Sequence, residues 1–279
     1  MRLLKRYPVA GYFLLAYVLS WLFLGLAAWL SNGDGLLGWV GGFMPAVSAV
    51  IVSAATEGRA GLRQLLVRLF TWRLGVQWYL VALLSPLALV LIALPFHAWL
   101  GGQTLPVLGP GFWTQSLPSV GILLALLCTF GIFMSAGEEI GWRGYAQPRL
   151  QARFGPWWTS LILGVLWGCW HLPLFLIPST PQYGLSFPGF VMASVGYSVI
   201  YTCLYNRGRG SVLLASLFHS ASNATITYAR AIVPFVVLDL NLSLPALAIL
   251  AVIVGLISGN LTTKRSLTTE AQRTQRFRD

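Results

Sequence analysis

Eight apolar runs, each about as long as a bilayer core is thick, constrain this chain more than any other feature. A hydrocarbon layer of roughly 30 Å takes about 20 apolar residues of helix. Runs of that kind lie at 7–30, 36–56, 76–100, 120–145, 156–178, 188–205, 211–228 and 242–258. Apolar side chains make up 57% of the 279 residues and charged ones only 9%, against roughly 25% charged in soluble domains. A core of this size cannot hide so much apolar surface from water. The composition therefore excludes a soluble globular enzyme, a disordered regulator and a secreted disulfide scaffold. The expected fold is all-α, a polytopic membrane bundle of about eight transmembrane helices. The first run follows the basic stretch Arg2-Leu-Leu-Lys5-Arg6 but is too long for a signal-peptide core, so it is read as a retained helix.

The net charge of +11 reads as topology, because the basic residues sit between apolar runs and form no groove-lining patch. No nucleic-acid partner is expected. With eight spans, one side carries Arg2, Lys5 and Arg6, then Arg59, Arg63, Arg68 and Arg73, then Arg143, Arg149 and Arg153. It also carries Arg207 and Arg209, and the tail residues Lys264, Arg265, Arg273, Arg276 and Arg278. Arg230 alone falls elsewhere, so both termini are expected in the cytoplasm, with a bacterial inner membrane as the expected location. Between Arg59 and Arg73, Leu62, Leu65, Leu66, Leu69 and Phe70 recur at helical spacing, which predicts an interfacial helix on the inner leaflet. The three cysteines, Cys128, Cys169 and Cys203, show no CxxC spacing and imply no disulfide framework or thiolate metal site. The organisation expected is three spans with the basic helix over 1–118, a catalytic core over 119–230, and a last span with a basic tail over 231–279.

Polar residues inside the apolar runs carry the chemistry. Glu138 and Glu139 stand side by side in the fourth run. An ionised carboxylate at the middle of a membrane helix costs about 2.5–3.5 kcal/mol on insertion scales, so such groups have a partner or a task. Arg143 lies four residues beyond Glu139 and shares its helix face, whereas Glu138 projects roughly 100° away and has no partner on its own helix. Glu139 thus reads as structural and Glu138 as available. His171 ends Trp167-Gly-Cys-Trp-His171, and His219 begins His219-Ser-Ala-Ser-Asn223. Each pair is spaced i, i+4, which stacks Trp167 one turn from His171 and puts His219 and Asn223 on one face. A carboxylate, two imidazoles and a carboxamide are the parts needed to activate water and to steady the oxyanion of amide hydrolysis. The same Glu138, His171 and His219 could instead form the relay of a proton- or cation-coupled transporter, and each polar contact alone could be interhelical glue.

The ordered set of Glu138-Glu139-Ile-Gly-Trp-Arg143, a motif ending in His171, and His219–Asn223 resembles the CPBP family of intramembrane proteases. That family includes type II CAAX prenyl proteases and bacterial bacteriocin-processing and self-immunity proteins. The resemblance spans roughly 120–228; the second motif usually begins with Phe, where Trp167 stands here. It implies an intramembrane endopeptidase that cleaves a peptide bond near the cytoplasmic face of a peptide or lipid-anchored protein, in contact with membrane lipids. It further implies Glu138, His171, His219 and Asn223 as catalytic groups, with Glu139, Arg143 and Trp167 as structural support. A catalytically silent scaffold of the same type is the other reading. The family is commonly labelled metalloprotease, and zinc on His171, His219 and Glu138 stays open beside a metal-free glutamate mechanism. Convergence on one cavity opening toward the basic side is the expected geometry.

Overall fold

Apolar chain in lipid can satisfy its backbone internally as a helix, and helices dominate here. The computed structural model describes residues 2–31, 36–101 and 131–232, with Gly121 and Leu124. A short basic helix, α1 (Arg2–Arg6), leads into α2 (Pro8–Ser31), α3 (Leu36–Leu69), α4 (Val76–Gly101) and α5 (Ile132–Glu139). A π-helical turn (Ile140–Ala146) joins α5 to α6 (Gln147–Trp170), and a 3₁₀ turn (Leu172–Phe175) precedes α7 (Phe187–Arg207) and α8 (Val212–Ile232). Among the described residues, the stretches Pro8–Leu30, Leu36–Leu69 and Phe187–Arg207 are long and apolar enough to cross a membrane. The protein is an integral, multi-pass membrane protein. Seven of the eight expected spans fall wholly or partly on these helices; the eighth, 242–258, lies outside the described residues.

Two expected boundaries move. The fourth run does not end at Tyr145: its helix passes through the π turn into α6 and breaks at Gly155, where φ is 76° and ψ is 172°. The fifth run, expected over 156–178, stops at Trp170, and His171 takes the C-cap with φ −77° and ψ −4°. The cause is Pro173, which has no N–H to give the Cys169 carbonyl and cannot continue the α-helical ladder. At 1.5 Å per residue the stretch 156–170 is about 22 Å long, short of a full crossing. Irregular backbone at membrane depth is tolerated where protein encloses it or where it lines a cavity, and His171 does the latter.

The basic segment expected as an interfacial helix forms the last part of α3, beyond a kink. Within α3, Gly58 has φ 61° and ψ −141°, a conformation that side-chain-bearing residues rarely adopt. Beyond this kink Leu65 is buried while Leu66, Val67 and Phe70 are exposed. Arg68 Nη1 donates to the Gly144 carbonyl at 2.9 Å, which ties the segment to the π turn.

Helix α6 is held from two sides. Trp21 Nε1 of α2 donates to the Trp170 carbonyl at 2.9 Å, and the Tyr17 hydroxyl donates to the Leu166 carbonyl. Against α7, Ser160 Oγ donates to Thr202 Oγ1 at 2.8 Å, and Gly164 and Gly168 let the backbones approach as small residues do in membrane helix pairs. A Cβ at Gly164 would lie 2.5 Å from Val195 Cα, and one at Gly168 would lie 3.0 Å from Val191 Cα. Gly164→Val is therefore expected to cost at least the ~1–3 kcal/mol of an overpacked core. Thermal melting in detergent checks this, and a variant that melts with the wild type refutes the close-packing account.

Candidate active site

The fourth run supplies its carboxylates from the last turn of α5, just before the helix widens into the π turn. Such widened turns occur often at functional sites. Glu139 is fully buried. Its Oε1 accepts from Arg143 Nη1 at 3.1 Å and from His219 Nδ1 at 2.8 Å. The Glu139–Arg143 contact is the one the spacing predicts; the His219 contact, across 80 residues of chain, is not visible in any local pattern. Arg143 is also fully buried. Its guanidinium lies 3.7 Å from the Tyr201 ring centroid and 4.8 Å from that of Trp167. Its Nε and Nη2 make no hydrogen bond among the described residues. Two aromatic faces thus take the place of further acceptors.

Glu138 is half-buried. It has no partner on its own helix, as expected, but Trp167 Nε1 of α6 donates to its Oε2 at 2.8 Å. The same Trp167 accepts through its backbone carbonyl from His171 Nδ1, also at 2.8 Å. Its ring lies edge-on to both imidazoles, with centroids 5.5 Å from His171 and 5.7 Å from His219. The tautomers follow from the partners. A carbonyl oxygen and an ion-paired carboxylate only accept, so both Nδ1 atoms carry hydrogen and the Nε2 atoms are left for other partners.

A cavity of about 350 Å³ runs between α7 and α8, lined by Trp167, His171, His219 and Asn223, with Tyr197 and Tyr201 on the α7 wall. Asn223 is exposed within it. Glu138 is not among the lining residues; it is attached to the site through the Trp167 indole. The lining continues past Phe190 and Ile226 to Gln182 and Leu185. It therefore extends away from the α7–α8 connection that carries Arg207 and Arg209, rather than toward it as expected. Arg143 and Tyr201, both wholly buried or nearly so, fill the basic side. Tyr201 and Tyr197 are the site residues that the sequence reading missed. Their i, i+4 spacing inside the sixth run was the available signal.

Among the described residues, no three of His, Cys, Asp and Glu are grouped as a metal ion requires. Glu139 and the Trp167 carbonyl engage the Nδ1 atoms, and Trp167 engages a Glu138 oxygen. Hydrogen bonds of this kind at Nδ1 are the ones that orient zinc-ligating histidines, so His171 Nε2, His219 Nε2 and the second Glu138 oxygen are the atoms that would hold a zinc.

The helices bring two imidazoles and a carboxamide to one cavity, with the Glu138 carboxylate attached through Trp167. A family model described as "Type II CAAX prenyl endopeptidase Rce1-like" matches residues 119–225, the stretch that carries all three motifs. The chain is also 28% identical over 234 residues to the CAAX prenyl protease 2 of Methanococcus maripaludis, covering 78% of this chain and 83% of that one. Over its motif-bearing stretch the chain is thus similar to type II CAAX prenyl endopeptidases.

Proposed function

We propose that this protein hydrolyses a peptide bond with a water activated by Glu138, and that its substrate is a prenylated or otherwise lipid-anchored polypeptide. The observation that carries the reading is the joint attachment of Glu138 and His171 to Trp167, at the wall of the cavity that His219 and Asn223 line. Glu138 accepts the proton of a water that His171 Nε2 helps to hold, and the water oxygen attacks the scissile carbonyl. His219, held through Nδ1 by Glu139 and carrying a second proton on Nε2 as an imidazolium, and the Asn223 carboxamide donate to the oxyanion that forms. Collapse returns the proton from Glu138 to the leaving amine, so one water is consumed and the carboxylate is regenerated. Glu139 and Arg143 keep His219 in place.

The apolar part of the cavity wall, with Phe190, Leu185 and Ile226, supports a lipid-modified or membrane-embedded segment over a soluble peptide. We orient the basic ends toward the cytoplasm, both termini included, and place the chain in a bacterial cell membrane. His219 then stands seven residues into α8, about 10 Å from the cytoplasmic end of that helix. The test is cleavage of a quenched, farnesylated CAAX peptide by the purified protein in liposomes. Asn223→Ala should lower kcat by about 10²–10³-fold, the loss expected for one oxyanion donor. Because Asn223 is exposed, melting should not change. An Asn223→Ala enzyme with wild-type kcat removes the carboxamide from the mechanism.

A further inference from the structure

One residue holds both groups that the proposed mechanism sets around the water. Trp167 donates from its indole Nε1 to Glu138 Oε2 and accepts at its carbonyl oxygen from His171 Nδ1, each at 2.8 Å. We infer that Trp167 is a positioning residue. Its N–H pins one oxygen of the Glu138 carboxylate, leaving the other as the atom that takes the proton, while its backbone carbonyl holds His171 on the same residue. This inference rests on Glu138 acting as the base.

The surroundings are built to keep that side chain still. Trp167 is 7% exposed, and its ring meets Tyr201 edge-on at 5.8 Å between centroids. Arg143 lies over its face. Gly164 and Gly168, one turn before it and one residue after it, bring α7 close enough to press on it. An indole has few rotamers and one donor, so once its ring is wedged the N–H direction is set. A carboxylate at the end of a Glu side chain has three torsions and no such constraint of its own. Only Trp among the large aromatic residues combines this ring with a donor at its edge. Packing alone would be served by Phe.

The decisive variant replaces Trp167 with 3-benzothienylalanine by site-specific incorporation, which keeps the bicyclic ring and removes the N–H. Trp167→Phe serves as the genetically simple companion. With the farnesylated CAAX peptide, both should lose kcat by about 10- to 100-fold with KM within twofold of wild type, because the pinned oxygen acts on water rather than on substrate binding. In a Glu138→Gln background neither replacement should lower the residual rate further, since the two act as a unit. A readout free of activity accompanies these. The Trp167 indole ¹H–¹⁵N resonance, assigned by its loss in Trp167→Phe, should move upfield in Glu138→Ala. A benzothienylalanine enzyme with wild-type kcat, or an indole resonance indifferent to Glu138→Ala, overturns the positioning role. If Glu138→Gln itself retains wild-type kcat, the glutamate mechanism fails and takes the positioning role with it. That result is distinct from an inactive Glu138→Gln beside a fully active isostere, which sinks the positioning role alone.

Discussion

Glu138→Gln is expected to lose about 10²–10⁴-fold in kcat, the range for removal of a general base, while the protein still inserts and folds. The amide keeps the size of the carboxylate, and its oxygen can still accept from Trp167 Nε1, the one side-chain hydrogen bond of Glu138 among the described residues. What the substitution removes is the capacity to take a proton from water. Half-burial of Glu138 also means that no buried ion pair is broken. Melting temperature should therefore stay near wild type while cleavage of the farnesylated peptide disappears. Near-normal turnover by Glu138→Gln would remove this residue from the mechanism.

Arg143→Ala should do the reverse in kind, with stability lost first and activity with it. Glu139 Oε1 receives Arg143 Nη1 and His219 Nδ1 together, in a place without solvent. Deleting the guanidinium leaves a fully buried carboxylate with His219 alone, and stranding one member of a buried pair costs about 3–5 kcal/mol. The ring contacts of Arg143 with Tyr201 and Trp167 go as well, and a cavity opens where a large side chain stood. Melting and membrane yield of the variant check this directly. Arg143→Lys should fall between the two, since an ammonium can face Glu139 but cannot lie flat between two aromatic faces. A variant Arg143→Ala that melts with wild type would show Glu139 to be satisfied without it.

The contrast between these two adjacent glutamates was legible before any coordinates. Helical spacing alone puts Arg143 over Glu139 and turns Glu138 away, and the structure keeps that asymmetry even though the turn between them is π-helical. The run lengths were equally plain, because lipid demands about 20 apolar residues of helix and the chain supplies them repeatedly. The boundaries of the fourth and fifth runs were less legible. Hydropathy registers apolar character, and it passes without a mark over Gly155 and over the cap at His171, where the backbone changes direction while the side chains stay apolar.

What the sequence determined by itself is what is local: a membrane-embedded helical protein, the Glu139–Arg143 pair, the Trp167–His171 and His219–Asn223 faces, and the order of three motifs. Each depends on neighbours within four residues, and the 3.6-residue turn settles those wherever a helix forms. Only the tertiary structure decided that His219 binds Glu139 rather than standing free, that Trp167 joins Glu138 to His171, and that Tyr201 lies under Arg143. It also decided that the cavity leads away from the basic ends. These contacts depend on how far α5, α6, α7 and α8 are rotated and shifted against one another. That rotation is set by where small residues such as Gly164 and Gly168 admit a neighbouring backbone, a matter of packing between helices that no periodicity along a single helix contains.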